Sequence, residues 1–174
     1  HASAPAVCLF LLWEAHYLYR TFVYPFIIRG ETKKRWPILL VVMALVFNSL
    51  NATVNGSWLF VQWSHDTSWF TDPRFIIGVL MFCTGFAIHT WSDRKLRLLR
   101  KPGETAYKIP RGGLFEFISC PNYFGEILEW CGFALACWSW AGLSFAVFTA
   151  ANIGPRAISN HRWYRKTFAH YPGK

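Results

Sequence analysis

This chain is short of acid, of linkers and of paired cysteines. Nine Asp and Glu stand against eighteen Lys and Arg in 174 residues, which leaves a net charge of +9. No Ser/Pro/Gly-rich linker, low-complexity tract or internal repeat divides it, so a single helical domain over 1–174 is the economical reading. The five cysteines, Cys8, Cys83, Cys120, Cys131 and Cys137, are odd in number and sit mostly in apolar stretches without a Cys-x-x-Cys pair. That argues against a disulfide framework, and no metal site is expected. No Gly-x-Gly-x-x-Gly follows a strand, and Gly112-Gly113 is too weak a substitute, so a Rossmann domain is excluded as a nucleotide-binding device. No signal peptide can be read from a start at His1, and that start together with the end at Pro172-Gly173-Lys174 leads us to expect part of a longer protein.

What the chain has is apolar and aromatic bulk: 53% hydrophobic residues, ten Trp and sixteen Phe, with a mean hydropathy of +0.22. These values suit a polytopic membrane protein better than a soluble domain. A bilayer crossing needs about 20 mainly apolar residues. Five stretches approach that: Pro5–Ile28, Pro37–Trp63, Phe75–Trp91, Asn122–Trp138 and Gly142–Ile158. The third and fifth are short, so their ends reach into polar loops. The expected fold is an all-α membrane bundle of five transmembrane helices.

The basic residues alternate between connections. Arg29, Lys33, Lys34 and Arg35 fill the first, seven basic residues from Arg94 to Arg111 fill the third, and Arg162, Arg165, Lys166 and Lys174 lie in the tail. The connection Ser64–Arg74 has one basic residue and Ser139–Ala141 has none. Because Lys and Arg are retained on the cytoplasmic side, the basic loops and the C-terminus are expected there. Cations gathered on one face suit an anionic lipid or nucleotide. Nucleic acid is the weakest candidate, since these residues flank apolar crossings.

Polar residues within the crossings carry further information, because each is costly in hydrocarbon and usually faces a bundle interior or a wet cavity. Glu14, Tyr17, Arg20 and Tyr24 share one side of the first stretch, with His16 on an adjoining line. Asn48, Asn51 and Asn55 mark a face of the second, Asn122, Glu126, Glu129 and Trp130 of the fourth, and Asn152, Arg156 and Asn160 of the fifth. Such faces can converge on one cavity open to the basic side. Transmembrane asparagines also serve as interhelical glue worth only about 1 kcal/mol, whereas Glu126 and Glu129 require cationic or donor-rich partners.

Several ordered motifs then point to a family: His16-Tyr17-Leu18-Tyr19-Arg20-Thr21-Phe22-Val23-Tyr24-Pro25, Thr71-Asp72-Pro73-Arg74-Phe75, and Ser92-Asp93 leading to Leu99-Arg100-Lys101-Pro102-Gly103-Glu104. Tyr107-Lys108-Ile109-Pro110-Arg111-Gly112-Gly113-Leu114-Phe115, Asn122-Tyr123-Phe124-Gly125-Glu126-Ile127-Leu128-Glu129-Trp130 and His161-Arg162-Trp163-Tyr164 follow. In these, nearly the whole chain resembles the steroid 5α-reductases, the 3-oxo-5α-steroid 4-dehydrogenases. The resemblance implies a seven-helix fold of which this chain holds the last five helices, the N-terminal two being absent from it. It implies NADPH as cofactor and a 3-oxo-Δ4 steroid as substrate, reduced to the 5α-dihydrosteroid by hydride transfer to C5. The family's Gln-Glu pair, whose carboxyl helps hold the 3-keto oxygen, belongs to its second crossing and is not matched by Glu14.

Residue by residue, the resemblance makes Tyr17 the group that polarises the 3-keto oxygen. It assigns Arg20, Asp93, Arg100, Tyr107, Asn122, Glu126, Arg156 and Tyr164 to the cofactor, with Arg97 and Asn160 beside them. Trp130 is expected between nicotinamide and steroid, and Phe47 and Phe148 as steroid walls. His89 stands where family members commonly have Asn, and Asn160 where a His is common. The membrane implied is the endoplasmic reticulum in a eukaryote or the inner membrane in a bacterium.

Two other classes stay open at this point. Pro121-Asn122-Tyr123-x-Gly125-Glu126 also resembles isoprenylcysteine-type membrane methyltransferases that use S-adenosylmethionine. Those usually carry an Arg-His-Pro lead-in and a late glutamate pair, whereas this chain has Ser119-Cys120-Pro121 and no Glu after Arg156. A non-catalytic sterol-binding membrane protein is the other, and NADPH binding separates it from a reductase.

Overall fold

The computed structural model describes residues 3–27, 37–99, 104 and 106–172, and among these every regular element is a helix. Five helical rods result. The first runs through α1 (Ala4–Leu18), a π-helical turn (Tyr19–Val23) and the short α2 (Tyr24–Ile27). The second is α3 (Ile38–Ser57), prolonged by a π turn over Trp58–Gln62. The others are α4 (Pro73–Leu98), α5 (Pro121–Cys137) and α6 (Trp140–Thr167).

Local chemistry fixes the ends. Asp72 caps α4 by accepting from the Arg74 backbone N–H at 2.8 Å, and Pro73 supplies a first helical residue with no N–H to satisfy. The Arg74 Nε and Nη2 donate to the same carboxylate at 2.9 and 2.8 Å and hold it well below its ordinary value, at about 2. Pro121 opens α5 in the same way. At the far end of α5, Trp138 takes a left-handed conformation (φ 45°) that turns the chain into α6, whose cap Ser139 accepts from the Gly142 N–H at 2.9 Å. The Arg74 guanidinium lies over both Trp69 and Trp138, at 4.5 and 4.9 Å, and so fastens that turn to the start of α4.

Two rods, Ile38–Gln62 and Pro73–Leu98, are long and apolar enough to cross a bilayer. The remaining three are helical over the expected stretches, but charged residues interrupt them: Glu14 and Arg20 in the first, Glu126 and Glu129 in α5, Arg156 in α6. The expected ends also shift. α4 continues past Trp91 to Leu98, so Asp93, Arg94, Lys95 and Arg97 stand on a helix and not in a loop. Straight-chain Arg, Lys and Leu favour helix, and no Gly or Pro intervenes before Pro102-Gly103.

Along α3 the burial pattern is inverted relative to a soluble bundle, although the core between the helices is apolar. In α3 the buried residues are Asn51 and Asn55, while Ile38, Leu39, Met43, Leu45, Leu50 and Val54 are exposed. At the centre, α4 and α5 approach backbone to backbone. A Cβ on Gly78 would meet Gly132 O at 2.6 Å, and one on Gly85 would meet Gly125 O at 2.6 Å. These four glycines, seven residues apart on each helix, remove the side chains that would hold the axes apart.

Candidate functional site

A cavity of about 200 Å³ opens among four rods. The first contributes His16, Tyr17 and Arg20, α3 contributes Phe47 and Asn48, α5 Glu126 and Trp130, and α6 Phe145, Phe148, Thr149, Asn152 and Ile153. The π-helical turn at Tyr19–Val23 widens the first helix where Arg20 must leave it, a use to which such turns are often put. Phe47 stacks on Phe148 with ring centroids 3.9 Å apart and forms one wall. Trp130, 1% exposed, forms another, with its ring against His16 (4.7 Å), Tyr17 (6.1 Å) and Phe145 (4.4 Å). A larger hollow of about 510 Å³ beside Trp138 and Trp140 is almost wholly apolar and has no converging polar groups.

The Tyr17 phenol is oriented by a short relay. Asn55 Nδ2 donates to Asn51 Oδ1 at 2.9 Å, which turns the Asn51 amide nitrogen toward Tyr17, and Asn51 Nδ2 donates to the phenol oxygen at 3.3 Å. With its oxygen accepting from Asn51, the phenol directs its own proton elsewhere, and the ring lines the cavity.

Behind the cavity runs a buried chain of ionisable groups. His16 Nδ1 is hydrogen-bonded to Glu129 Oε1 at 2.8 Å, and the other carboxylate oxygen of Glu129 lies 3.5 Å from His89 Nδ1. His89 Nε2 stands 3.2 Å from Asp93 Oδ2, which is 3.5 Å from an Arg20 guanidinium nitrogen. Asn122 Nδ2 donates to the other oxygen of Asp93 at 3.1 Å. The glycine crossing makes this possible: a Cβ on Gly125 would meet the His89 backbone nitrogen at 2.6 Å.

Of the residues singled out from sequence, Tyr17, Arg20, Phe47, Glu126, Trp130 and Phe148 line the one cavity, and Asp93 and Asn122 adjoin it through Arg20. Arg97 meets the Tyr19 phenol, and its Nη1 is buried without a hydrogen bond among the described residues. Such a donor suits an anionic group of a cofactor. Tyr107 and Tyr164 meet instead at Trp163 toward the end of α6, at 4.9 and 5.1 Å. Arg156 is exposed and near Tyr123, and Asn160 is exposed beside Cys120 and Tyr123. Arg100 lies outside the described residues. Sequence reasoning marked His16 and Glu129 as polar positions but did not join them through His89. The glycines repeated at 78/85 and 125/132 were the available signal.

Outward apolar faces around an interior lined by histidine, carboxylate, amide and phenol define a helical bundle with its chemistry inside. The family model for 3-oxo-5-alpha-steroid 4-dehydrogenase matches residues 34–174, and the chain belongs to that family. It is 46% identical over 170 residues to the human 3-oxo-5-alpha-steroid 4-dehydrogenase 1, covering 98% of this chain and 65% of the relative. The Macaca fascicularis protein of the same name is also 46% identical, with 98% and 64% covered. A steroid 5-alpha-reductase of Solanum lycopersicum is 47% identical over 161 residues, with 90% and 62% covered. The chain therefore spans about two thirds or slightly less of each relative's length, and its membership sets aside the methyltransferase resemblance.

Proposed function

We propose that this chain forms the catalytic part of a membrane-embedded, NADPH-dependent reductase that converts 3-oxo-Δ4 steroids to 5α-dihydrosteroids. The observation that carries the reading is Tyr17, whose oxygen accepts from Asn51 while its ring lines the cavity, leaving the phenolic proton for a carbonyl oxygen. NADPH, when bound, supplies a hydride for C5 of the enone. As negative charge develops on the 3-keto oxygen, a donor already placed there lowers the barrier without reorganising. A neutral phenol fills that role and keeps its proton.

The cavity of about 200 Å³, below the ~300–1,000 Å³ usual for whole ligands, suits the ketone-bearing ring of the steroid. Phe47 and Phe148 enclose that ring, and Trp130 is the wall that would border both the steroid and the nicotinamide. Among the described residues the buried Nη1 of Arg97 has no hydrogen-bond partner, although the Arg97 side chain also meets the Tyr19 phenol, and a free donor there fits a phosphate oxygen. Arg20, Arg97 and Arg100 are assigned to the phosphates, and Asn122, Glu126 and Asp93 to the ribose or carboxamide. Tyr107, Arg156, Asn160 and Tyr164 hold the remainder of the cofactor at the end of α6. The five rods are five crossings, with the basic connections and the C-terminus on the cytoplasmic side.

The test uses membranes containing the complete protein, supplied with 4-deuterated NADPH and a 3-oxo-Δ4 steroid. Deuterium on the α face at C5 of the product supports the reading. NADPH binding without transfer to any such steroid would replace the substrate class, and no NADPH binding would leave a passive sterol binder.

A further inference from the structure

The hydride is only half of this reduction. Saturating the C4–C5 bond adds a hydride at C5 and a proton at C4, and Tyr17, hydrogen-bonded to the ketone, is not positioned at C4. We propose that His16 is the acid that protonates C4, held in place by Glu129 with His89 as a positioning residue behind it. The proposal rests on the reductase reading and adds the second half-reaction to it.

The geometry of His16 is that of a general acid. It is 4% exposed, it forms part of the cavity wall next to Tyr17 and Trp130, and its Nδ1 is tied to Glu129 at 2.8 Å. A carboxylate on one nitrogen fixes the ring's tautomer and orientation. Among the described residues the other nitrogen, Nε2, forms no hydrogen bond, and since His16 lines the cavity we assign Nε2 to face it. Glu129 itself is 0% exposed, and the α4–α5 crossing at Gly85 closes on its backbone.

His89 explains how two carboxylates share this interior. Its nitrogens stand 3.5 Å from Glu129 and 3.2 Å from Asp93, and Tyr19, His16 and Glu126 are its other ionisable neighbours. Buried carboxylates need cations. Arg20 serves Asp93 from one side, and the His16 and His89 rings are the groups that face the two oxygens of Glu129. The atoms at the His89 contacts, His89 Nδ1 and Nε2, Glu129 Oε2 and Asp93 Oδ2, are buried and form no well-aligned hydrogen bond. They face one another at 3.2 and 3.5 Å.

The same three side chains, His16, His89 and Glu129, lie within 4.8 Å of one another. Ligand atoms on a tetrahedral ion would stand roughly 3.3 Å apart, whereas His16 Nδ1 and Glu129 Oε1 are at hydrogen-bond distance. That spacing is the one a shared proton sets.

The step balances simply. After hydride reaches C5, the electron pair of the enolate forms a bond to hydrogen at C4 while the His16 Nε2–H bond breaks. The ketone is restored, and the neutral imidazole keeps its Nδ1 proton on Glu129. A proton taken from bulk solvent and relayed by water that enters as product leaves returns to Nε2, and no ring flip is required.

The experiment uses His16→Gln, His16→Gly and Glu129→Gln in the complete protein in membranes, with NADPH binding followed by fluorescence. Loss of a positioned general acid is expected to cut turnover by about 10²–10⁴-fold with NADPH affinity unchanged. The solvent deuterium effect should rise and the effect of 4-deuterated NADPH should shrink, because protonation becomes limiting. Added imidazole should restore part of the activity of His16→Gly. Turnover near wild type, a loss with both isotope effects unchanged and no rescue, or failure of all the variants to bind NADPH would each overturn the assignment. If the wild-type protein transfers no deuterium to the steroid, it is the reductase reading that fails, and the acid assignment falls with it.

Discussion

Gly125 lies beneath His89: a Cβ added there would meet the His89 backbone nitrogen at 2.6 Å and the Ile88 side chain at 3.0 Å. The reciprocal contact places Gly85 against Glu129. The two glycines therefore set the distance between the histidine and the glutamate as well as that between their helices. Since the obstruction is backbone, it cannot be relieved by a rotamer change. Gly85→Ala or Gly125→Ala is expected to destabilise the bundle by about 1–3 kcal/mol, the usual range for overpacking. Thermal denaturation in detergent measures the loss, and Gly154→Ala, where a Cβ meets nothing within 4 Å, is the control.

Tyr17→Phe removes the donor and preserves the ring. Removing one preorganised donor to a developing oxyanion typically lowers kcat by about 10²–10³-fold, and that loss is expected here with little change in the Kd for NADPH. Asn51→Leu should have a smaller effect in the same direction, because it releases the phenol oxygen without deleting its proton. A Tyr17→Phe enzyme with full turnover and weakened NADPH binding would place Tyr17 with the cofactor instead.

Arg97→Ala is expected to do the opposite. Among the described residues its buried Nη1 has no hydrogen-bond partner, and hydrogen bonds to charged groups are worth about 1.5–3 kcal/mol, so NADPH should bind about 10- to 100-fold more weakly. Turnover at saturating cofactor should be nearly retained. Arg100→Ala is expected to act in the same direction. Titration of NADPH fluorescence separates these variants from Tyr17→Phe.

The helices and the faces of the cavity were legible because period and polarity speak directly. Asn48, Asn51 and Asn55 read as one face, and in the fold they respectively line the cavity, orient Tyr17 and orient Asn51. The end of α4 was less legible, since a cationic stretch reads equally as loop or exposed helix until packing decides. The His16, Glu129 and His89 cluster was not legible at all. It joins three rods, and what brings them together is the absence of side chains at Gly85 and Gly125. Hydropathy registers such an absence only faintly. Tyr107 and Tyr164 illustrate the complementary gap: their motifs were clear, but their meeting at Trp163 is a tertiary fact.

Asp72 supplies a test of the fold that is independent of catalysis. Its carboxylate caps α4 and accepts two bonds from the Arg74 guanidinium, which hold its folded value at about 2 against an ordinary 3.8. A depressed carboxylate stabilises the folded state wherever it is ionised in both states. As pH falls below 3.8 the unfolded chain takes up the proton first, so stability declines with pH until the folded group also titrates at about 2. The contribution is thus complete at neutral pH and is lost across that acid window. Asp72→Asn retains a capping oxygen but cannot titrate. The difference in thermal stability between wild type and Asp72→Asn should be constant above pH 5 and shrink as pH falls through the window. A difference that stays constant down to pH 2 would mean that the Arg74 contacts do not survive in the folded protein. Where the difference does shrink, Arg74→Ala should reproduce the loss and also release Trp138, whose left-handed turn Arg74 covers.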